Sequence, residues 1–188
     1  MSDICQEQDG IVRLVQSSRT GDRAAFDRLV LLHQRQAMTL ALGMLGNRDD
    51  AAEVVQEALV KAHLGLRNLT QPERFPFWLL KIVANEAVSR RRAARRRRIV
   101  TSLFAAARAR ERLERSCDRE NVDDLQRAVE RAMQQLTDKQ ARAIALFGLD
   151  GLPQSEVARI MGCSTEAVRW HVHRARQKLR VLLKEHLE

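Results

Sequence analysis

Pro153-Gln-Ser-Glu-Val-Ala-Arg-Ile-Met-Gly162-Cys-Ser-Thr-Glu-Ala-Val-Arg-Trp-His-Val-His-Arg-Ala-Arg-Gln-Lys-Leu-Arg180 decides the fold. Proline suits the first turn of a helix, and the apolar positions Val157, Ile160 and Met161 then recur at helical spacing. Gly162-Cys163 forms a tight turn, and Ser164 is a ready N-cap for a second, longer helix. In that helix Val168, Val172, Ala175, Leu179 and Leu182 fall at steps of four and three, one apolar stripe predicted to run to about His186. A short helix, a glycine-containing turn and a longer basic helix make a helix-turn-helix. With the stripe held inward, about 100° per residue turns Glu166, Arg169, Trp170, His173, Arg174 and Gln177 outward. Arginines on such a face can make bidentate contacts to guanine in a major groove. Arg176, Lys178 and Arg180 lie further along, suited to phosphates. An amphipathic helix with a solvated charged face would share much of this pattern, but an outward Trp170 calls for a partner.

Upstream the chain continues in helices. Val122, Leu125, Val129, Met133 and Leu136 repeat at helical spacing, and Thr137-Asp-Lys-Gln140 has the form of a capping box. Toward the N-terminus, Asp22 can cap a helix carrying Phe26, Leu29, Val30 and Leu32 as far as Leu45, with Gly46-Asn47 as its stop. Asp49 and Asp50 open the next helix, where acids favour the positive dipole end. Its apolar side is Ala51, Val54, Val55, Ala58, Leu59 and Ala62. Asp50, Glu53, Glu57 and Lys61 lie opposite. A two-proline loop over 67–76 precedes a helix predicted from near Phe77 to Arg98. The expected architecture is all-α: a helical domain over 1–98, a basic linker over 99–120, and the helix-turn-helix domain over 121–188.

The 188 residues contain 33 Lys and Arg against 24 Asp and Glu, net +9, with no Tyr. The charge is uneven: residues 1–89 carry net −1, residues 90–120 net +8 and residues 121–188 net +2. Seven arginines occupy the nine positions 90–98. They extend a stripe of the preceding helix, Trp78, Lys81, Asn85, Ser89 and Arg92, at steps of three or four. Phe75, Phe77 and Trp78 stand just before it, three of the seven aromatics of the chain. Faces for unstacked bases beside charges for phosphates are what single-stranded nucleic acid requires. The loop before the helix could hold a flipped base.

Other functions find little support. No apolar run reaches the length of a membrane span, and Met1 to Gly10 is too polar for a signal peptide. Cys5, Cys117 and Cys163 are far apart and suggest reduced thiols in a cytoplasm. His171 and His173, two apart on a helix, face different directions and make poor co-ligands, so no metal site is expected. No nucleotide-binding or hydrolase motif is present, and no cofactor is implied.

Taken in order, these segments resemble the extracytoplasmic-function class of bacterial sigma factors. Gly21-Asp-Arg-Ala-Ala-Phe26 is similar to the opening of region two. Arg48-Asp-Asp-Ala-Ala-Glu-Val-Val-Gln-Glu-Ala-Leu-Val-Lys-Ala62 is close to the signature helix of the class. Phe75-Pro-Phe-Trp-Leu-Leu-Lys-Ile-Val-Ala-Asn85 and the arginines resemble its melting and minus-ten segment, and Leu136 to Arg180 resembles region four. The resemblance implies a promoter-specificity subunit of RNA polymerase with no catalysis of its own. By position, Asp50, Glu53, Gln56 and Glu57 would dock on the β′ clamp helices. Asn68, Phe75, Trp78, Lys81, Asn85, Ser89, Arg91 and Arg92 would hold melted minus-ten DNA. Thr165, Glu166, Arg169, Trp170, His173, Arg174 and Arg176 would read the minus-thirty-five duplex beside the β flap. The linker would thread toward the RNA exit path, and an anti-sigma factor would be a further partner. His63, Ser89, Pro153, Glu166-Ala167 and Trp170 depart from the usual residues of the class, so its promoter sequences do not carry over. A plain helix-turn-helix regulator with an N-terminal dimerisation or sensing domain would explain 136–184 but not the Arg tract, the aromatics or the acidic helix. A sigma mimic that sequesters a regulator would not need the DNA-facing residues.

Overall fold

The structure, a computed structural model, describes residues 2–108 and 122–184. Eight α-helices account for almost all of them, and no strand occurs among the described residues. The first four are α1 (Ser2–Arg19), α2 (Arg23–Leu45), α3 (Arg48–Gly65) and α4 (Phe75–Arg108). Then come α5 (Val122–Gln135), α6 (Asp138–Ile144), α7 (Gln154–Met161) and α8 (Thr165–Leu182). Most of the expected linker, and the predicted end of the last helix at His186, lie outside the described residues; α4 carries the backbone helically past Arg98.

The helix ends follow local chemistry. Asp22 accepts from the Ala25 amide at 3.1 Å, and Asn47 accepts from the Asp50 amide at 2.9 Å. Thr137 and Gln140 complete the capping box, each side chain accepting from the other's backbone N–H. Ser164 caps α8 through the Ala167 amide at 3.2 Å. Each oxygen satisfies an amide that the first helical turn leaves without a partner. Gly46 ends α2 at φ 76°, a left-handed conformation that favours glycine.

α1 was not foreseen as a separate element. Ile11, Val15 and Ser18 are its buried face, spaced by four and three. Arg19 at its end donates to the carbonyls of Leu66 and Leu69, fixing the loop between α3 and α4. That loop is two short 3-10 turns, Leu66–Asn68 and Pro72–Arg74. In the second half, α6 widens into a single π turn, Ala145–Leu149, before α7.

The two helical domains do not keep separate cores. One buried cluster runs from Phe26, Leu29 and Leu40 through Leu79 and Val83 to Leu146, Val157 and Val168. Only Met133, Leu136, Ala141 and Ala175 form a smaller cluster of their own. α2 and α4 of the first half pack against α5, α6, the π turn and α7 of the second.

Candidate nucleic-acid interface

α4 is read as two faces. Leu79, Leu80, Val83, Ala84, Ala87 and Val88 are buried against α2 and α3. The opposite stripe starts at half-buried Trp78 and runs through exposed Lys81, Asn85, Ser89 and Arg92. At its start an open cleft of about 490 Å³ is lined by Gln71, Arg74, Phe77, Trp78, Lys81 and Arg159. The Arg74 guanidinium lies 5.4 Å from the Phe77 ring centre, an arrangement favoured by the ring quadrupole. The indole of Trp78 leans on Gly65. Aromatic edges and the cations Arg74 and Lys81 thus converge where the 67–76 loop meets α4, with Arg159 of α7 lining the cleft from the second half. Asn68 is exposed on the neighbouring turn.

Two residues expected on this surface lie elsewhere. Phe75 is fully buried, its ring 5.6 Å from His33 and 6.1 Å from Trp78; it supports the loop from within and offers no face to a base here. Arg91 is 6% exposed. Its guanidinium donates to the carbonyl of Met44 at 2.6 Å, Met133 at 3.1 Å and Leu136 at 2.9 Å, and approaches Asp138 at 3.5 Å. Burial and neighbouring Arg95 hold its pKa below the ordinary value, against the opposing pull of Asp138. Helical spacing explains the position: Leu80, Ala84, Ala87 and Arg91 share one stripe, the inward one.

Arg90, Arg92 and Arg95 of the tract are also engaged within the chain. Arg90 bridges Asp50 and Glu53 of α3, so two of the four residues expected to dock on polymerase already meet a cation. Gln56 and Glu57 are exposed on the same helix. Arg92 reaches Asp138 at 2.9 Å, and Arg95 donates to the Leu136 carbonyl at 2.7 Å. Arg142, on α6, donates to Asn85 Oδ1 at 3.0 Å. Arg96, Arg97 and Arg98 are exposed.

α8 presents the other surface. Val168, Val172 and Ala175 are buried, while Glu166, Arg169, Trp170, His173, Arg174 and Gln177 are exposed. Trp170 is 55% exposed, with the Arg174 guanidinium 5.9 Å from its ring centre. Thr165 Oγ donates to Glu166 at 3.1 Å. Hydrogen bonds from Glu166's own backbone, Ser164 and Thr165 lower the Glu166 pKa, so it meets solvent as an anion. Arg176 sits over the Phe147 ring at 5.7 Å, at the edge of this exposed face. His171 turns inward, its imidazole pKa lowered by burial and by Lys139, while His173 is exposed. Among the described residues no group of His, Cys, Asp or Glu is arranged to hold a metal ion, and no helix is long and apolar enough to cross a membrane. Cys163 is a half-buried free thiol; Cys117 lies outside the described residues. His63 meets Phe26 edge-on at 4.7 Å, doing the work of an aromatic at that position.

An all-helical chain with an aromatic and cationic stripe in one half and a helix-turn-helix in the other defines a DNA-reading protein of two parts. Residues 29–97 match the family model for sigma-70 region 2, and residues 126–179 match that for sigma-70, region 4. The chain is 31% identical to the RNA polymerase sigma-H factor of Pseudomonas aeruginosa, with 94% of each chain covered. It is 32% identical to the ECF RNA polymerase sigma-E factor of Escherichia coli K12, over 88% of this chain and 90% of that one. Among solved structures, CnrH in complex with the cytosolic domain of CnrY is similar with a TM-score of 0.67, at 25% identity over 94% of this chain and 99% of that one. The sigma factor RpoE in complex with the anti-sigma factor NepR from Bartonella quintana gives 0.61, at 26% identity over 85% and 96%. The chain belongs to the extracytoplasmic-function class of sigma factors.

Proposed function

We infer that this chain is an alternative sigma factor that binds core RNA polymerase in the cytoplasm, directs it to particular promoters and helps open the DNA, with no catalysis of its own. What most supports the opening role is the stripe Trp78, Lys81, Asn85, Ser89 and Arg92 on α4, running away from an aromatic and cationic cleft. Bases leaving the duplex find ring faces in the cleft, and the backbone follows the cations. A surface that binds only the melted strand shifts the equilibrium toward it. Asn68 flanks the cleft. Phe75 shapes it from behind, and Arg91 takes part only once released from its carbonyls.

The reading of the minus-thirty-five duplex falls to α8. Arg169, Trp170, His173 and Arg174 face the bases, with Thr165 and Glu166 at the helix start and Arg176 at the margin. α3 docks on the β′ clamp helices through Gln56 and Glu57, and through Asp50 and Glu53 where Arg90 permits, because an acidic helix face suits a basic partner. The second domain also meets the β flap. Two of the similar solved structures are complexes with a second protein, one of them named an anti-sigma factor, which supports a cognate anti-sigma partner here.

The test is run-off transcription with core polymerase and mapping of start sites, alongside purification of core polymerase on the tagged chain. Specific starts with stoichiometric co-purification are expected. DNA binding without polymerase would instead identify a plain helix-turn-helix regulator.

A further inference from the structure

Trp170 is the largest side chain on α8, and it joins neither buried cluster of the chain. It is 55% exposed, and its ring meets two neighbours on its own helix. The Arg174 guanidinium stands over it at 5.9 Å, and His171 meets it edge-on at 5.0 Å. Arg174 is held a second time, donating to Gln177 Oε1 at 3.3 Å. A large apolar surface and a cation therefore stand side by side on the exposed face of α8, about one helical turn apart.

The two groups suit different atoms. An indole carries one N–H donor and no acceptor, and the rest of its surface is apolar. On the major-groove edges of the four bases, the apolar group is the C5-methyl of thymine. A guanidinium carries donors alone, and the edge that matches it best is O6 and N7 of guanine. Four residues along a helix advance about 6 Å, against about 3.4 Å per base pair. Both contacts therefore fall within about two base pairs of each other.

We propose that Trp170 is a specificity-determining residue that selects, through the thymine methyl, an A·T pair close to a G·C pair read by Arg174. The inference rests on the minus-thirty-five role proposed above for α8. Packed on the indole, the guanidinium is oriented before DNA arrives, so it loses less freedom when it bonds to guanine. Contact with the methyl takes water from the exposed ring, which favours thymine over a base that offers no apolar group there. Trp170 thus acts twice, on thymine directly and on guanine through Arg174.

The test uses the full chain assembled with core polymerase. Promoters are selected by this complex from a pool randomised across the minus-thirty-five segment. The selected sequence is expected to hold a thymine, on either strand, within about two base pairs of a guanine; a sequence without one overturns the proposal. Each thymine of the segment is then replaced singly by deoxyuridine, which removes the methyl and keeps every hydrogen-bonding group. The modified promoters compete with the unmodified one for the complex. One such replacement is expected to weaken binding about fourfold, the effect of one buried methyl group. In Trp170→Ala that sensitivity should vanish, and the preference for the neighbouring guanine should weaken. Trp170→Phe, which keeps a ring, should restore part of both. Circular-dichroism melts check that the variants fold. Sensitivity that persists in Trp170→Ala overturns the proposal, and so does an equal loss of binding to every sequence. If no deoxyuridine has an effect while Arg169→Ala still changes promoter preference, the assignment of Trp170 falls and the role of α8 stands. If neither deoxyuridine nor substitution of Arg169, Trp170 or Arg174 changes the preference, the role of α8 itself falls.

Discussion

Asp150 closes the turn between the π segment and α7 with one carboxylate oxygen buried and without a hydrogen-bond partner. Burial raises its pKa from 3.8 to about 7. Between those values the folded chain keeps a proton that the unfolded chain has lost, so stability from this group is greatest at low pH and falls as pH rises to about 7. Asp150→Asn cannot ionise and removes that loss. A gain of about 1–2 kcal/mol at pH 8, discounted for partial exposure, is expected from thermal melts, with a smaller gain at pH 5. Arg169 belongs to the same scale but to function. It is exposed on the proposed reading face, and Arg169→Ala is expected to cost about 1–3 kcal/mol of discrimination at one minus-thirty-five base pair. Promoter competition measures this, and an unchanged preference removes the assignment. Single residues were also where the sequence misled. Phe75 carries the same ring as Phe77, and only its place opposite His33 and Trp78 puts it in the core. Arg91 could have been found, since it continues the stripe Leu80, Ala84 and Ala87, but a run of arginines hides an inward one among its exposed neighbours.

The elements were more legible. Asp22, Thr137, Ser164 and Gly46 mark helix ends because capping depends on a few adjacent residues and needs no tertiary information. α1 escaped notice because its buried residues span little more than two turns beside a polar start. The π turn has no local signature here; it shows only in the widened backbone between α6 and α7. On α3 the proposed docking face is divided by Arg90, which gives a prediction at this level. Glu57→Lys should weaken core-polymerase affinity about tenfold, roughly 1.4 kcal/mol, without altering α3–α4 packing. Glu53→Lys should weaken docking and also replace one of the two carboxylates that hold Arg90 with a like charge, lowering the melting temperature. Affinity titrations and melts of the two variants separate these effects; wild-type affinity for Glu57→Lys removes the docking face.

For the whole molecule, the division into two domains was visible as a change in composition, but their contact was not. A charge map of the chain sees a basic tract at 90–98 and assigns it to nucleic acid. The folded chain spends Arg90 on α3, and Arg91, Arg92 and Arg95 on the second half, leaving Arg96 to Arg98 exposed. Which acids meet which arginines depends on how two helices pack across a distant stretch of chain, and no local periodicity records that. The shared core makes a prediction of its own. Leu146→Ala, fully buried in that cluster, should destabilise the chain by about 2–5 kcal/mol, read from denaturant midpoints. A loss below about 1 kcal/mol would show that the two halves do not support each other in solution.

Arg91 donates to Met44, the next-to-last residue of α2, and to Met133 and Leu136 at the end of α5. Carbonyls in the last turn of a helix lack partners within it, and they form the negative end of its dipole. One guanidinium therefore finishes two helices that belong to different halves. When it leaves, the Met44 and Met133 carbonyls lose this donor together, while Arg95 still holds the Leu136 carbonyl. Fraying at the last turn of α2 and of α5 becomes a single event, and amide hydrogens in the two turns, far apart in the chain, should exchange with solvent at rates that rise and fall in step.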